Sequence, residues 1–384
     1  MVVVFEFFGS EPIENVITCM NYKVDKVIYF GYHEAILSRK KTTSDFLRNY
    51  CGVGQTVFWE VSSNDLQSVI NTMKKEIDRE VNKNNDIFVD VTGGESLIFV
   101  AFGMLAEKYS IPMHMFDVME NRLIALSNVS IEDVAKKQSI KLDIDSFVAL
   151  KGGSINYKMH KDNKDICDDI YIKDVDNLWG VVKRHIDTWN PFSDVMRYYL
   201  KPDDELNVEY DKKVTIEKIC SSPNNLREEE FNIILGELAD IGLINRLDYS
   251  GINYKFSYKN DEIKALIWEG GSVLEIYTCQ KYTQDADECK AGLHIDWDCI
   301  VQDTGEDVVN EIDVLSIKNN IPEFISCKSG RMGKKQAMNA LYELETIRKR
   351  FGGKYAKITL VTTQPLSRVS LLRAKEMKID VQTI

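Results

Sequence analysis

Five short apolar runs constrain this chain more than any other feature. Residues 2–8, 24–30, 57–61, 87–91 and 113–118 are continuous in hydrophobicity rather than alternating. Strands buried on both faces of a parallel sheet read this way. Between them lie stretches of helical period, for example Leu66, Val69, Ile70 and Met73. Alternating strand and helix predicts a Rossmann-like α/β domain with its ligand loops at the carboxyl ends of the strands. A hairpin-like piece at 122–127 and a less regular stretch complete this first domain, taken as residues 1–160.

Trp179, Val182, Ile186 and Trp189 then recur at helical spacing up to Pro191, which is read as the stop of a linker helix. Helical patterns at 214–220 and 228–241 lead into strand-like segments at 243–247 and 254–258. Helix, helix and hairpin outline a winged helix, whose obvious use is DNA reading. Its charge points to a connector instead. Residues 205–260 hold seven Lys/Arg and ten Asp/Glu, and the second helix opens with Glu228, Glu229 and Glu230, where phosphates would need cations. The linker and connector span 161–260. From 261 to 384 the predicted order is helix (261–280), strands (293–301, 310–317, 323–328), helix (334–351), strand (358–362), helix (369–375) and strand (379–383). Three domains suit 384 residues.

The net charge of −12 excludes coating nucleic acid by bulk electrostatics, though not one local basic groove. No run of 18 apolar residues is present and Met1–Phe8 has no basic leader, so a cytoplasmic protein without a membrane span is expected. The eight cysteines include no Cys-x-x-Cys pair, and the five histidines no pair at ligand spacing. Reduced thiols are expected rather than zinc or a disulfide framework.

Two constellations carry chemistry. Strand one runs into Gly9-Ser10-Glu11-Pro12 and on to Asn15; strand four runs into Thr92-Gly93-Gly94-Glu95-Ser96. Both loops fall at one sheet edge, each before a helix. Glycines let a ligand approach the backbone, helix-start N–H groups favour phosphate, and Ser10, Thr92 and Ser96 add hydroxyls. The second constellation is Glu311-Ile-Asp313 followed by Ser326-Cys-Lys328. Residues two apart share a strand face. Two carboxylates, helped by Asp296 or Asp298 and by Glu275, would hold Mg²⁺ or Mn²⁺, with Lys328 orienting water or neutralising a phosphate. Residues 318–354 carry nine Lys/Arg against three Asp/Glu. Arg331, Lys334 and Lys335 therefore read as a phosphate track.

The first domain resembles CARF domains, the cyclic-oligoadenylate sensors of type III CRISPR defence, through Ser10-Glu-Pro and Thr92-Gly-Gly94. The last is similar to PD-(D/E)xK restriction-endonuclease-like nucleases through its element order and Asp313…Ser326-Cys-Lys328. The resemblance implies a homodimer binding cyclic tetra-adenylate across a two-fold axis. It also implies metal-dependent cleavage of single-stranded DNA, RNA or nicked duplex. Site residues then read as follows: Glu275, Asp298, Glu311, Asp313, Ser326 and Lys328 catalytic, with Asp298, Glu311 and Asp313 on the metal; Ser10, Glu11, Pro12, Asn15 and Thr92 to Ser96 on the activator.

Two departures stand out. Glu95-Ser96 occupies the place where many CARF loops carry Thr-Lys, and Ser326 the place where an acidic residue is common. Glu323 lies three residues before Ser326 and faces the other side, so compensation is expected from Glu311 or Asp298. Two other readings compete: a ligand-responsive winged-helix transcription regulator, and a sensor that itself hydrolyses the cyclic ligand. The regulator has no use for Glu311, Asp313 and Lys328; the sensor loops offer no Lys or His as general base.

Overall fold

The structure is a computed structural model that describes residues 1–135, 139–157, 169–220, 226–296 and 309–384. Each apolar run overlaps a strand: β1 (Val2–Phe8), β2 (Lys26–Gly31), β3 (Gln55–Glu60), β4 (Asp86–Asp90) and β5 (Met113–Asp117). They pair in parallel, and β6 (Arg122–Ala125) closes the edge antiparallel to β5, giving the order β3-β2-β1-β4-β5-β6. The helix Leu66–Val81 shows why the pattern was readable. Asp65 caps it by accepting from Ser68 N–H at 3.0 Å, and Val69, Met73 and Ile77 form its buried stripe. Because β1 lies between β2 and β4, the strand order reverses there. The loops after β1 and β4 therefore flank a crevice at a topological switch point, where open α/β sheets bind ligands.

Beyond the helix Ile144–Lys151, the short strand β7 (Ser154–Ile155) pairs with the last sheet rather than the first. Pairing of β7 through its backbone thus carries part of the expected first domain into the third. Pro191 does not stop a helix. It is the third residue of Trp189–Tyr199, a first-turn position whose N–H has no intrahelical acceptor. The connector has one strand more than expected: β8 (Asn207–Asp211) joins β9 (Ile244–Asp248) and β10 (Asn253–Tyr258) in the order β8-β10-β9. The helix Glu228–Asp240 has three acidic residues in its first turn.

The expected helix at 261–280 is two helices, Asp261–Trp268 and Ser272–Thr283, divided at Gly270-Gly271. The last sheet comprises β11 (Glu288–Asp296), β12 (Val309–Lys318), β13 (Ile321–Lys328), β14 (Lys357–Thr362) and β15 (Asp380–Thr383). Its order is β15-β14-β13-β12-β11-β7, with β11 to β13 an antiparallel meander and β13 to β15 parallel. Both neighbours pack on it. Ile13 and Phe147 share an apolar cluster with Leu293, Phe324 and Leu341, whereas Trp179 and Phe231 cluster with Val273, Val314 and Ile325. Cys279 and Cys289 approach to 3.2 Å as free thiols. Among the described residues no helix is long and apolar enough to cross a membrane.

Candidate functional site

The first crevice is built mainly from backbone. Asn15 closes the β1 loop, accepting from Gly9 N–H at 3.1 Å and donating to the Gly9 carbonyl at 3.2 Å. Asn15 and Pro12 are buried, so both support the loop from beneath, and only Ser10 of the expected residues there is exposed. In the β4 loop, Thr92 N–H donates to Asp90 Oδ1 at 2.7 Å, and Thr92 Oγ1 accepts from Phe116 N–H at 2.7 Å. The hydroxyl proton is still free to donate. Gly94 has φ +151°, and a Cβ at Gly93 would lie 2.8 Å from Glu14 Oε2. Glu95 and Ser96 are exposed at the start of the helix Ser96–Tyr109, with Glu95 accepting from Tyr32 OH at 3.0 Å. Arg39, which sequence reading missed, donates to the carbonyls of Gly9 (2.8 Å) and Ser10. It brings a cation to the first loop from a separate helix.

Glu11 was expected to meet the activator, and the structure gives it other partners. It is buried, accepting from Lys151 Nζ at 3.0 Å and from Lys354 N–H at 2.7 Å. Gly353 (φ +77°) has no room for a side chain beside that carboxylate. Glu14, also buried, accepts from Lys354 Nζ at 2.9 Å and Tyr355 OH at 2.6 Å. The residue that packs under Gly93 therefore also grips the loop leading into β14. Nothing in the sequence marked Glu14, because its partners are more than 300 positions away.

The second constellation converges. Asp313 Oδ2 accepts from Ser326 Oγ (3.0 Å), Cys327 N–H (2.7 Å) and Lys328 Nζ (3.1 Å), and Oδ1 takes none of these bonds. Burial works against the charge of Lys328, but Asp313 outweighs it and holds the ammonium above its usual range. Burial, then Asp313, then Glu311 push the Glu275 carboxyl up to about 7. Glu323 turns away, accepting from Tyr282 OH and Thr359 Oγ1. Simple alternation does not carry across residue 313. Gly292 (φ +62°) lies opposite it, with Ala291 and Val314 packed in the cluster of Trp179 and Phe231 and Leu293 and Ile312 in the cluster of Ile13 and Phe147. Asp298 lies outside the described residues, and Asp296 ends β11. Arg331, Lys334 and Lys335 are exposed just beyond Lys328.

The donor chemistry fits a hard divalent cation. A cavity of about 20 Å³, roughly one water in size, is lined by Glu311, Asp313, Ser326 and Glu343. Burial contributes most to raising Glu275, and the repulsion from Asp313 and Glu311 that adds to it is what a cation would relieve. Among the described residues no three His, Cys, Asp or Glu side chains form a metal cage. Mg²⁺ commonly uses only one or two carboxylates and keeps waters.

Residues 262–383 match the family model described as Card1-like, endonuclease domain. The whole chain shares its fold with solved proteins. Protein VC1899 from Vibrio cholerae aligns over 100% of this chain and 94% of its own, at TM-score 0.73 and 16% identity. Can2 from Sulfobacillus thermosulfidooxidans, solved in complex with cyclic tetra-adenylate, aligns over 100% and 95%, at TM-score 0.66 and 14% identity. A type III CRISPR defence DNA nuclease activated by cyclic oligoadenylate aligns over 95% of this chain and 47% of its own, at TM-score 0.52 and 11% identity. No curated protein sequence matches the chain significantly.

Proposed function

We propose that the chain is a metal-dependent nuclease switched on by a cyclic oligoadenylate, cyclic tetra-adenylate first, acting in the cytoplasm in type III CRISPR antiviral defence. The observation that carries this reading is Asp313, with three donors on one oxygen, the other without a hydrogen-bond donor among the described residues, and Lys328 and Glu275 alongside. The match of residues 262–383 to an endonuclease domain supports it.

Asp313 and Glu311, with Glu275 and Glu343 near, would hold Mg²⁺ or Mn²⁺, which supplies water activation and charge neutralisation when bound. Lys328 neutralises charge on the phosphate from the other side of Asp313. Glu275, whose carboxyl is held high by burial and by Asp313 and Glu311, is a neighbouring group that a bound cation would drive to its charged form. Lys334 and Lys335 open the helix Lys334–Ile347, whose first turn has no acidic residue. Cations oppose the dipole there; with Arg331 they suit the backbone of single-stranded DNA or RNA, or of a nicked duplex.

The Gly93-Gly94 loop and the start of the following helix receive the activator phosphates, with Ser10, Thr92 and Ser96 as hydroxyl donors. That helix continues with Phe99, Val100 and Met104 exposed. An apolar face directly after the ligand loop suits a homodimer in which two copies share one symmetric ring. Glu14, between Gly93 and Lys354, links the crevice to the nuclease sheet.

The test is incubation with Mn²⁺, labelled single-stranded DNA and RNA, nicked duplex, and cyclic oligoadenylates of several ring sizes. Cleavage that depends on both metal and ring is expected, with one ring bound per two chains. Tight metal-free binding of duplex DNA without cleavage would instead support a regulator.

A further inference from the structure

A second and larger cavity, of about 720 Å³, opens on the last sheet away from Asp313 and Glu311. It lies at the start of β13 and β14, around Glu323, Lys357 and Thr359, whereas Asp313 meets the end of β13. Neither the activator loops nor Asp313 lines it.

Its interior is a fixed polar network. Tyr282 OH and Thr359 Oγ1 both donate to Glu323 Oε1, at 3.0 and 2.6 Å, and Gln382 Nε2 donates to Tyr282 OH at 3.2 Å. Ala356 and Ile358 add apolar wall. Arg348, Lys357 and Lys378 stand around it, and none of the three forms an ion pair with the described residues. Six cations line the cavity, Lys281, Lys318, Arg348, Lys354, Lys357 and Lys378, against three carboxylates, Asp285, Glu323 and Asp380; that local surplus, in a chain of net charge −12, favours an anion. A purely ionic site would need no amide, phenol and apolar wall beside them. Cations next to such a wall match a ligand with phosphate at one end and a flat heterocycle at the other. The volume is that of a small-molecule site.

We propose that this cavity binds a nucleotide, its phosphates on Arg348, Lys357 and Lys378 and its base toward Tyr282 and Gln382. The site is separate from the activator crevice and does not depend on nuclease activity.

The probe is ATP, titrated calorimetrically into the full chain without divalent metal, beside adenosine and inorganic triphosphate. One ATP per chain is expected, with adenosine far weaker. Arg348→Gln with Lys357→Ala removes two charge-assisted contacts and should weaken ATP by about tenfold or more. Gln382→Ala should weaken ATP but not triphosphate. Thr92→Val, in the activator loop, should leave ATP binding unchanged. Unchanged melting temperatures of the variants show that they fold. The proposal is overturned if ATP does not saturate by millimolar concentration or if triphosphate binds as well as ATP. It is equally overturned if Thr92→Val abolishes binding while the cavity variants retain it.

Discussion

Under the proposed function, the crevice between the β1 and β4 loops and the carboxylate site would recognise phosphate in opposite ways. The crevice offers mainly backbone: two glycines, a helix start and a few hydroxyls, with Arg39 braced on the β1 loop and the nearby carboxylates Glu11 and Glu14 committed elsewhere. Glu11 and Glu14 hold the loop before β14, and Asn15 holds its own loop. The carboxylate site uses side chains, aimed at one another across β12 and β13 and left short of neutralisation. The difference teaches where sensitivity lies. A backbone cradle binds by shape and changes gradually under substitution. A cluster of charges does chemistry and fails abruptly.

The sharpest way to break the comparison is Asp313→Asn. It keeps size but removes the charge a cation needs, and turnover should fall by orders of magnitude. Lys328→Ala should do the same, and both variants should bind activator as the parent does. Cleavage assays paired with activator titration check this. An Asp313→Asn protein cleaving at the parental rate refutes the assigned site.

On the crevice side, Thr92→Val removes a hydroxyl that accepts from Phe116 N–H and is free to donate to ligand. A buried bond of this kind costs about 1–3 kcal/mol. The half-maximal activator concentration should rise accordingly with maximal rate intact, while Thr92→Ser should stay near the parent.

Glu14→Gln tests the link between the regions. It removes the ion pair to Lys354 and weakens the bond from Tyr355. Maximal stimulation should drop while activator affinity holds. If both parameters match the parent, the two regions communicate by another route.

The smallest effect is one of pH. Burial, then Asp90 and Glu14, push the Glu6 carboxyl well above the usual range. The folded chain keeps this proton where the unfolded chain has lost it. The contribution of Glu6 to stability is therefore intact below the ordinary carboxylate range and lost as pH rises through the raised folded value. Glu6→Gln, neutral at every pH, should flatten the fall in Tm on going alkaline. Parallel melting curves for the two proteins would show that Glu6 does not titrate in that window.

Period and spacing made much of this legible from the chain alone. Unbroken apolar runs required a sheet buried on both faces, and the glycines after β4 marked a close backbone approach. Asp313 and Lys328 were visible because strand partners in a meander lie near in sequence. The helical period over 261–280 hides a break at Gly270-Gly271, where two poor helix formers separate Asp261–Trp268 from Ser272–Thr283.

Tertiary structure decided the rest. Pro191 is tolerated in the first turn of a helix because the N–H it lacks would have no intrahelical acceptor there. Arg39, Glu14 and Lys354 acquire their roles only when distant segments meet. The face taken by Glu311 depends on a local twist opposite Gly292 that no alternation rule carries. Local patterns are written by backbone geometry over a few residues. Charge partners and domain contacts are chosen by which surfaces the finished fold presses together.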